Sequence, residues 1–324
     1  MAEVTKIELS SGGQMPALGL GTWQLTDEAE LRSTLETAIG LGYRHIDTAQ
    51  SFNNEKMIGD ILNEQIESGA VAREDLFVTA KLPGMFMGSG SRVRKGMERT
   101  LERLQLEYID LVQLHTPFGF KLMEDEEAAF PHDPWYVPVP EVCDLIETWE
   151  TLEEYVGEGK VKAIGVSNFN SRQIQRILDI ATLPIANNQV ECHAYLPQNE
   201  LFEFLKENNI TMTAFAPFAS PGRPDSLKEE DLPVLLEDPV IKEIAEKIGK
   251  TPGQVLLKSI VQRGIAVIAK SCNPDRLKEN LEIFDFELSE EDMAAIAGLA
   301  QNIRYFDFKK IAKDHPDYPF DEPF

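Results

Sequence analysis

Three ionisable side chains occupy matching positions in the chain, because each follows a short apolar segment. They are Asp47, Lys81 and His115. A carboxylate, an ammonium and an imidazole that meet at one point can shift one another's pKa and carry out proton-transfer chemistry. Each also has a structural alternative: a strand-end aspartate often caps a helix, a lysine is usually a solvated charge, and a single histidine is usually structural. The matching positions, and the sequence around each residue, favour the chemical interpretation.

Eight short apolar segments are predicted strands, and amphipathic helical stretches lie between them. The strands are expected at residues 17–21, 44–47, 76–81, 111–115, 161–166, 188–191, 211–216 and 265–270. Between the first two, Leu31, Leu35 and Ile39 repeat on one face of a helix, which the glycines at 40 and 42 end. Strands that alternate with helices predict a parallel sheet covered by helices. Eight strands are the number that closes a barrel, but a doubly wound open sheet gives the same alternation.

Polar residues at the carboxyl ends of the predicted strands favour the barrel, since a (β/α)8 barrel assembles its active site at that edge. We therefore expect an α/β fold, a single (β/α)8 TIM barrel domain over residues 1–324 that opens with a β-hairpin over 6–18. Residues 118–141 and 220–233 are expected to form long βα loops with functional roles. The aromatic-rich tail, 305–324, is expected to pack over the active-site rim, because a disordered tail would be poorer in aromatics.

The composition argues against several classes of partner. The formal net charge is −24, and such a field repels nucleic acid and anionic membranes. No apolar run approaches the ~20 residues that a membrane-spanning helix needs, and the N-terminus lacks the basic-then-apolar layout of a secretion signal. Cys143, Cys192 and Cys272 show no metal-ligand spacing and are interpreted as reduced thiols of a cytoplasmic protein. No metal site is expected.

Several segments resemble the motifs of one enzyme family, the aldo-keto reductases. The matching segments are 42–55 around Asp47, 77–82 around Lys81, 108–115 ending at His115, 165–169, 188–193 and 270–280. The resemblance covers nearly the whole chain. It implies an NADPH-dependent oxidoreductase that reduces the carbonyl groups of aldehydes and ketones to alcohols. It also implies small-molecule substrates and, by analogy with the family, a monomer.

The resemblance gives individual residues their expected roles. The catalytic positions are Asp47, Phe52 at the place of the family's tyrosine, Lys81 and His115. The cofactor-binding positions are Gly21, Thr22, Asp47, Ser167, Asn168, Gln189, Phe215, Ala216, Phe218, Ser220, Lys270, Ser271, Arg276, Glu279 and Asn280. Lys270 and Arg276 match the positions that bind the 2′-phosphate. Because that phosphate needs charge-assisted donors, NADPH is expected rather than NADH.

The substrate pocket is expected to be wide. Its walls are predicted at Trp23, Thr116 and Trp135. Many relatives carry tryptophan at the positions of Pro83 and Thr116, so the smaller side chains in this chain predict a bulky, neutral carbonyl substrate that is steroid-like or isoprenoid-like.

Phe52 departs from the family pattern at the proton-donating position. In the family a tyrosine there gives a proton to the carbonyl oxygen, Asp47 and Lys81 lower its pKa, and His115 orients the carbonyl. Phenylalanine has no hydroxyl, and the loss of general acid catalysis costs ~10²–10⁴-fold in rate.

Three interpretations of Phe52 remain open from the sequence. The first is an active reductase with a substitute donor: His115 as imidazolium, a water held by Lys81, or an acidic group of the substrate. The second is an NADPH-binding protein that has lost turnover and serves a structural or regulatory role. The third is a Tyr→Phe change that was introduced artificially.

Overall fold

The computed structural model describes residues 4–122, 139–225, 232–322 and 324. The chain opens with an antiparallel hairpin of β1 (Lys6–Glu8) and β2 (Gln14–Pro16). Its turn contains Gly12 at a φ of 90°, a conformation that glycine adopts without steric cost. The hairpin predicted from the sequence is confirmed. Within the described ranges, no helix is long and apolar enough to cross a membrane.

Eight parallel strands form a closed barrel, which confirms the (β/α)8 architecture and excludes the open sheet. The strands that follow the hairpin are β3 (Leu18–Gly21), β4 (His45–Asp47), β5 (Phe77–Leu82), β6 (Ile109–Leu114), β7 (Gly119–Phe120), β8 (Pro140–Glu141), β9 (Val161–Ser167), β10 (Asn187–Glu191), β11 (Thr211–Phe215) and β12 (Ala266–Ala269). Among the described strands, β7 and β8 form a separate two-stranded sheet. The other eight pair in chain order, and β12 returns to β3 to close the barrel.

Helices cover the outside of the barrel. The described residues form α1 (Glu28–Leu41), α2 (Glu55–Glu67), α3 (Gly90–Leu104), α4 (Leu145–Gly157), α5 (Ser171–Leu178), α6 (Asn199–Glu207), α7 (Pro239–Ile248), α8 (Pro252–Val261), α9 (Pro274–Leu281), α10 (Glu290–Ala297) and α11 (Lys309–Ala312). Helix α1 shows why they form. Asp27 caps its start, Leu31 and Leu35 are buried, and Gly42 ends it in the left-handed conformation.

The hairpin closes the amino-terminal end of the barrel. Leu9 and Met15 pack against Phe77, Leu111 and other side chains near the starts of the strands. A larger apolar core lies between the strands and the surrounding helices. With one end closed by side chains, the opposite end, where the strands finish, is left to form a site.

The carboxyl-terminal tail packs on the rim at that opposite end, as predicted. Asn170 and Gln173, at the start of α5, donate to the backbone carbonyls of Pro319 and Asp317 at 3.1 and 2.8 Å. The guanidinium of Arg304 lies 3.8 Å from the centre of the Phe320 ring. The three cysteines, Cys143, Cys192 and Cys272, are free thiols.

Candidate active site

A cavity of about 1080 Å³ opens at the carboxyl ends of the barrel strands. The sequence-predicted residues that line it are Gly21, Trp23, Asp47, Phe52, Lys81, His115, Ser167, Asn168, Gln189, Phe215, Ala216, Phe218, Ser220, Lys270, Ser271, Arg276, Glu279 and Asn280. A smaller cavity of about 440 Å³ lies at the other end, beside the hairpin, and none of the predicted site residues lines it. The fold therefore gathers almost the whole predicted site at one place.

Asp47 and Lys81 form a buried ion pair at the base of the larger cavity. The Lys81 ammonium donates to the Asp47 carboxylate at 2.6 Å, and the two residues are only 2% and 3% exposed. Burial lowers the pKa of Lys81, and the adjacent Asp47 carboxylate opposes that shift. The Lys81 Nζ atom lies 5.5 Å from the centre of the Phe52 ring. The ion pair thus faces an aromatic ring that carries no hydroxyl.

Side chains inside the barrel fix the orientation of Asp47. Gln189 donates to its second carboxylate oxygen at 2.8 Å and also contacts Gln113. Gln113 donates in turn to Asn187 at 2.7 Å. The hydroxyl of Thr22 donates to the Asp47 backbone carbonyl at 2.9 Å. Thr22, predicted to bind cofactor, is fully buried and lies outside the cavity lining, so it supports Asp47 from behind.

His115 contributes a neutral imidazole to the cavity wall. Burial, and then the positive charge of Lys81, lowers the pKa of His115 to about 3. Its Nδ1 atom lies 3.1 Å from the Ser51 hydroxyl, and its ring meets the Phe52 ring edge-on with centres 5.9 Å apart. The imidazolium form proposed as a substitute acid is therefore disfavoured at neutral pH.

A short turn, Gln50–Phe52, presents Ser51 and Phe52 to the cavity. The Gln50 side chain is buried and donates to the Thr100 hydroxyl on α3 at 2.6 Å. On the other side, the Asn54 amide donates to the carbonyls of Thr22 and Leu25 at 2.8 and 3.1 Å. With both ends held by buried amides, the turn fixes the positions of the two side chains between them.

Ser167 and Asn168 form a second part of the site, which suits a carboxamide. The Asn168 amide nitrogen donates to the His115 carbonyl at 2.9 Å and to the Ser167 hydroxyl at 3.1 Å. Its oxygen Oδ1 is buried and has no partner among the described residues. A buried acceptor without a donor is costly, and the NH₂ group of a nicotinamide carboxamide would satisfy it. The residues present therefore fit a nicotinamide cofactor.

Another part of the cavity wall is suited to a phosphate. Lys270, Ser271 and Arg276 line it beside the amino terminus of α9. The Asn273 side chain caps that helix by accepting from the Arg276 backbone amide at 3.0 Å. Backbone amides at a helix start favour an anion, and two cationic side chains strengthen the preference. This is a basic spot on a chain whose net charge is −24.

Aromatic rings form another part of the cavity wall. Phe306, in the tail, meets Trp23 and Phe215 edge-on, with ring centres 5.6 and 5.7 Å apart. The fully buried Glu191 carboxylate holds this part of the tail, because it accepts from the backbone amides of Tyr305 and Phe306 at 2.7 and 2.9 Å. The tail thus builds part of the site rather than only covering it.

The sequence analysis did not identify several positions that contribute to the cavity. Ser51 and Arg304 line the cavity, and Glu191 anchors the tail. Only Glu191 gave a signal, as a charged residue at the end of a predicted strand. His193 is buried, and its Nε2 atom lies 2.9 Å from the Glu191 carboxylate.

Only some of the residues predicted to form the substrate pocket line the cavity. Trp23 lines the cavity as expected. Thr116 does not belong to the lining, because its hydroxyl turns to the Phe118 backbone carbonyl at 2.9 Å. Pro83 is also outside the lining. Trp135 lies outside the described residues.

Comparisons with known proteins show the family of the chain. The Aldo/keto reductase family model matches residues 17–301. The chain is 41% identical to prostaglandin F synthase 1 of Bos taurus, covering 98% of each chain. It is 40% identical to rho crystallin of Aquarana catesbeiana, covering 100% of this chain and 99% of that one. The solved structure of the aldose reductase from Schistosoma japonicum has a TM-score of 0.88 at 36% identity, covering 99% and 100% of the two chains.

The chain belongs to the aldo/keto reductase family. It is by class an oxidoreductase that reduces carbonyl compounds, and its family uses nicotinamide cofactors.

Proposed function

We propose that this protein is an NADPH-dependent reductase of aldehydes and ketones whose proton donation is weakened by Phe52. The observation that carries the proposal is one cavity lined by two chemically distinct groups of side chains. Asp47, Lys81 and His115 form one group, and the cationic Lys270 and Arg276 belong to the other. The unpartnered Asn168 oxygen lies beside His115, where a carboxamide would orient a nicotinamide ring toward the catalytic side chains.

The side chains divide the expected chemistry between them. When bound, the nicotinamide supplies a hydride to the carbonyl carbon. The neutral His115 imidazole orients the carbonyl and donates a hydrogen bond to its oxygen. The Lys81 cation stabilises negative charge that develops on that oxygen. The Phe52 side chain has no hydroxyl and cannot donate the proton that completes the step. The expected result is slow turnover rather than none.

The cavity favours bulky, neutral substrates, because its wall contains Trp23, Phe52, Phe306 and Phe308. We expect kcat/KM to be at least roughly tenfold higher for large apolar ketones and aldehydes than for short polar aldehydes, since each buried methylene contributes about 0.8 kcal/mol. NADPH consumption with a panel of carbonyl compounds of graded size tests this substrate class. Preference for short polar aldehydes would contradict it.

Titration of His115 should not change the rate of hydride transfer between pH 5 and 9. The pKa of His115 is lowered to about 3, so the imidazole stays neutral throughout this range. Single-turnover rates over the range provide the measurement. A rate that falls as pH rises past ~6.5, the ordinary pKa of histidine, would show that His115 acts as imidazolium after all.

Cofactor selection should depend on Arg276. Replacing it with alanine removes a charge-assisted hydrogen bond, so the Kd for NADPH should rise roughly 10- to 100-fold while the Kd for NADH changes little. Fluorescence titration with both cofactors measures this. Lys278→Ala is the matched control, because Lys278 lies exposed on the same helix but outside the cavity. An equal rise in the Kd for NADPH and in the Kd for NADH would show that Arg276 does not bind the 2′-phosphate.

An alternative function is that of an NADPH-binding protein with a structural or regulatory role. Phe52 favours it, and one relative of similar length is named as a crystallin. This alternative would be supported if both the unmodified protein and the Phe52→Tyr variant bind the cofactor but form no alcohol. We expect the protein to act as a cytoplasmic monomer.

A further inference from the structure

The Ser51 hydroxyl makes a contact that the proposed chemistry has not used. It lies on the cavity wall, 3.1 Å from Nδ1 of His115. Among the residues that the structure describes, this imidazole nitrogen is the hydroxyl's only hydrogen-bond partner. Ser51 is held there because the neighbouring Gln50 and Asn54 side chains fix both ends of the turn.

The other nitrogen of His115 is available to a ligand. No described residue forms a hydrogen bond with Nε2, and this atom is not fully buried. Since His115 lines the cavity and is partly exposed, Nε2 is accessible from it. A neutral imidazole carries one proton, and the hydrogen bond at one nitrogen decides which nitrogen holds it.

Two arrangements of the pair satisfy the geometry. In one, the Ser51 hydroxyl donates to Nδ1 and the proton sits on Nε2. In the other, Nδ1 carries the proton and donates to the hydroxyl oxygen. The first is favoured because an unprotonated imidazole nitrogen is a better acceptor than a hydroxyl oxygen. It also leaves an N–H group facing the cavity, where a carbonyl oxygen can only accept.

We propose that Ser51 is a positioning residue that holds His115 in the Nε2–H tautomer, so that the imidazole donates to the carbonyl oxygen of the substrate. This inference rests on the proposed function. It matters here because Phe52 offers no hydroxyl. As the hydride reaches the carbonyl carbon, the π electron pair moves to the oxygen, which accepts the hydrogen bond from Nε2. The proton that completes the alcohol then comes from water.

The tautomer can be measured without turnover. Nitrogen-15 NMR of the protein labelled at its five histidines, with His115 assigned by a His115→Gln variant, reports which nitrogen is protonated. We expect Nε2 to be protonated in the unmodified protein. Ser51→Ala should give a mixture of tautomers, and Ser51→Thr should keep the Nε2–H form. Protonation of Nδ1 in the unmodified protein, or an unchanged tautomer in Ser51→Ala, would overturn the proposal.

A second hydroxyl–imidazole pair among the described residues provides a matched control. The Thr79 hydroxyl lies 2.9 Å from Nε2 of His45, and neither residue lines the cavity. Thr79→Val should alter the His45 signals and leave those of His115 unchanged. A change in the His115 signals would show that its tautomer responds to general perturbation, which would overturn a specific role for Ser51.

Kinetics then separate this inference from the proposed function. Ser51→Ala should lower kcat roughly 3- to 10-fold, the effect of losing one hydrogen bond, and leave KM nearly unchanged. Ser51→Thr should keep kcat close to that of the unmodified protein. An unaltered kcat in Ser51→Ala would overturn the role of Ser51. If no carbonyl compound is reduced even by Phe52→Tyr, the proposed function fails, while the NMR experiment still decides the tautomer.

Discussion

Phe52→Tyr is expected to raise kcat/KM for carbonyl reduction by about 100-fold or more. The substitution adds a hydroxyl to a ring that already lies between the Lys81 ammonium, 5.5 Å from its centre, and the His115 ring, 5.9 Å away. The buried Lys81 cation should lower the pKa of the new phenol. General acid catalysis contributes ~10²–10⁴-fold, which corresponds to ~3–5.5 kcal/mol of barrier.

The measurement is steady-state kinetics of both forms with the same bulky ketone and saturating NADPH. Phe306→Tyr is the matched control, since it adds a hydroxyl to another ring of the cavity wall, whose described ring contacts are with Trp23 and Phe215 rather than with Lys81 or His115. That variant should change kcat/KM little. If Phe52→Tyr leaves kcat/KM unchanged while NADPH still binds, another group already supplies the proton, and the substrate itself becomes the first candidate.

Asp47→Ala is expected to lower the free energy of unfolding by about 3–5 kcal/mol, the usual cost of leaving a buried charge without its partner. Lys81 would lose its carboxylate in a site where its side chain is 2% exposed. Gln189 would lose an acceptor at 2.8 Å as well. Urea unfolding of the variant and the unmodified protein measures the difference.

An exposed ion pair provides the control for that prediction. Lys56 and Asp60 lie 2.8 Å apart with side chains 71% and 40% exposed, so Asp60→Ala should cost less than about 1 kcal/mol. The double variant Asp47→Leu with Lys81→Met should recover much of the lost stability, because it removes both buried charges. A loss below 1 kcal/mol for Asp47→Ala alone would contradict the described burial of the pair.

The barrel could be predicted from the sequence because its strands are short apolar runs of regular spacing. The fourth barrel strand shows the limit of that signal. It was expected to start at Leu111, yet it begins at Ile109. Asp110 interrupts the apolar run, but its carboxylate accepts from the Val78 backbone amide at 2.9 Å and pairs with Arg73 at 2.8 Å. A polar residue can thus belong to a strand when a neighbouring element satisfies it.

The site was predictable where one residue acts at the end of its own strand, as with Lys81. It was less predictable where segments far apart in the chain meet. The Glu191 carboxylate binds the backbone of residues more than a hundred positions later, and no local pattern indicates such a contact. Thr116 was misplaced for a different, local reason, since its small size did not show that its hydroxyl would donate to the backbone carbonyl of Phe118, two residues later.

The central claim, that this cavity binds NADPH and reduces a carbonyl group, is tested most directly by a single turnover. The protein, saturated with NADPH, is mixed with a bulky neutral ketone, and both the remaining cofactor and the alcohol formed are quantified over time. We expect one alcohol for each NADPH consumed, slowly in the unmodified protein and much faster in Phe52→Tyr. Tight NADPH binding without alcohol from either form would contradict the claim and favour the structural or regulatory role.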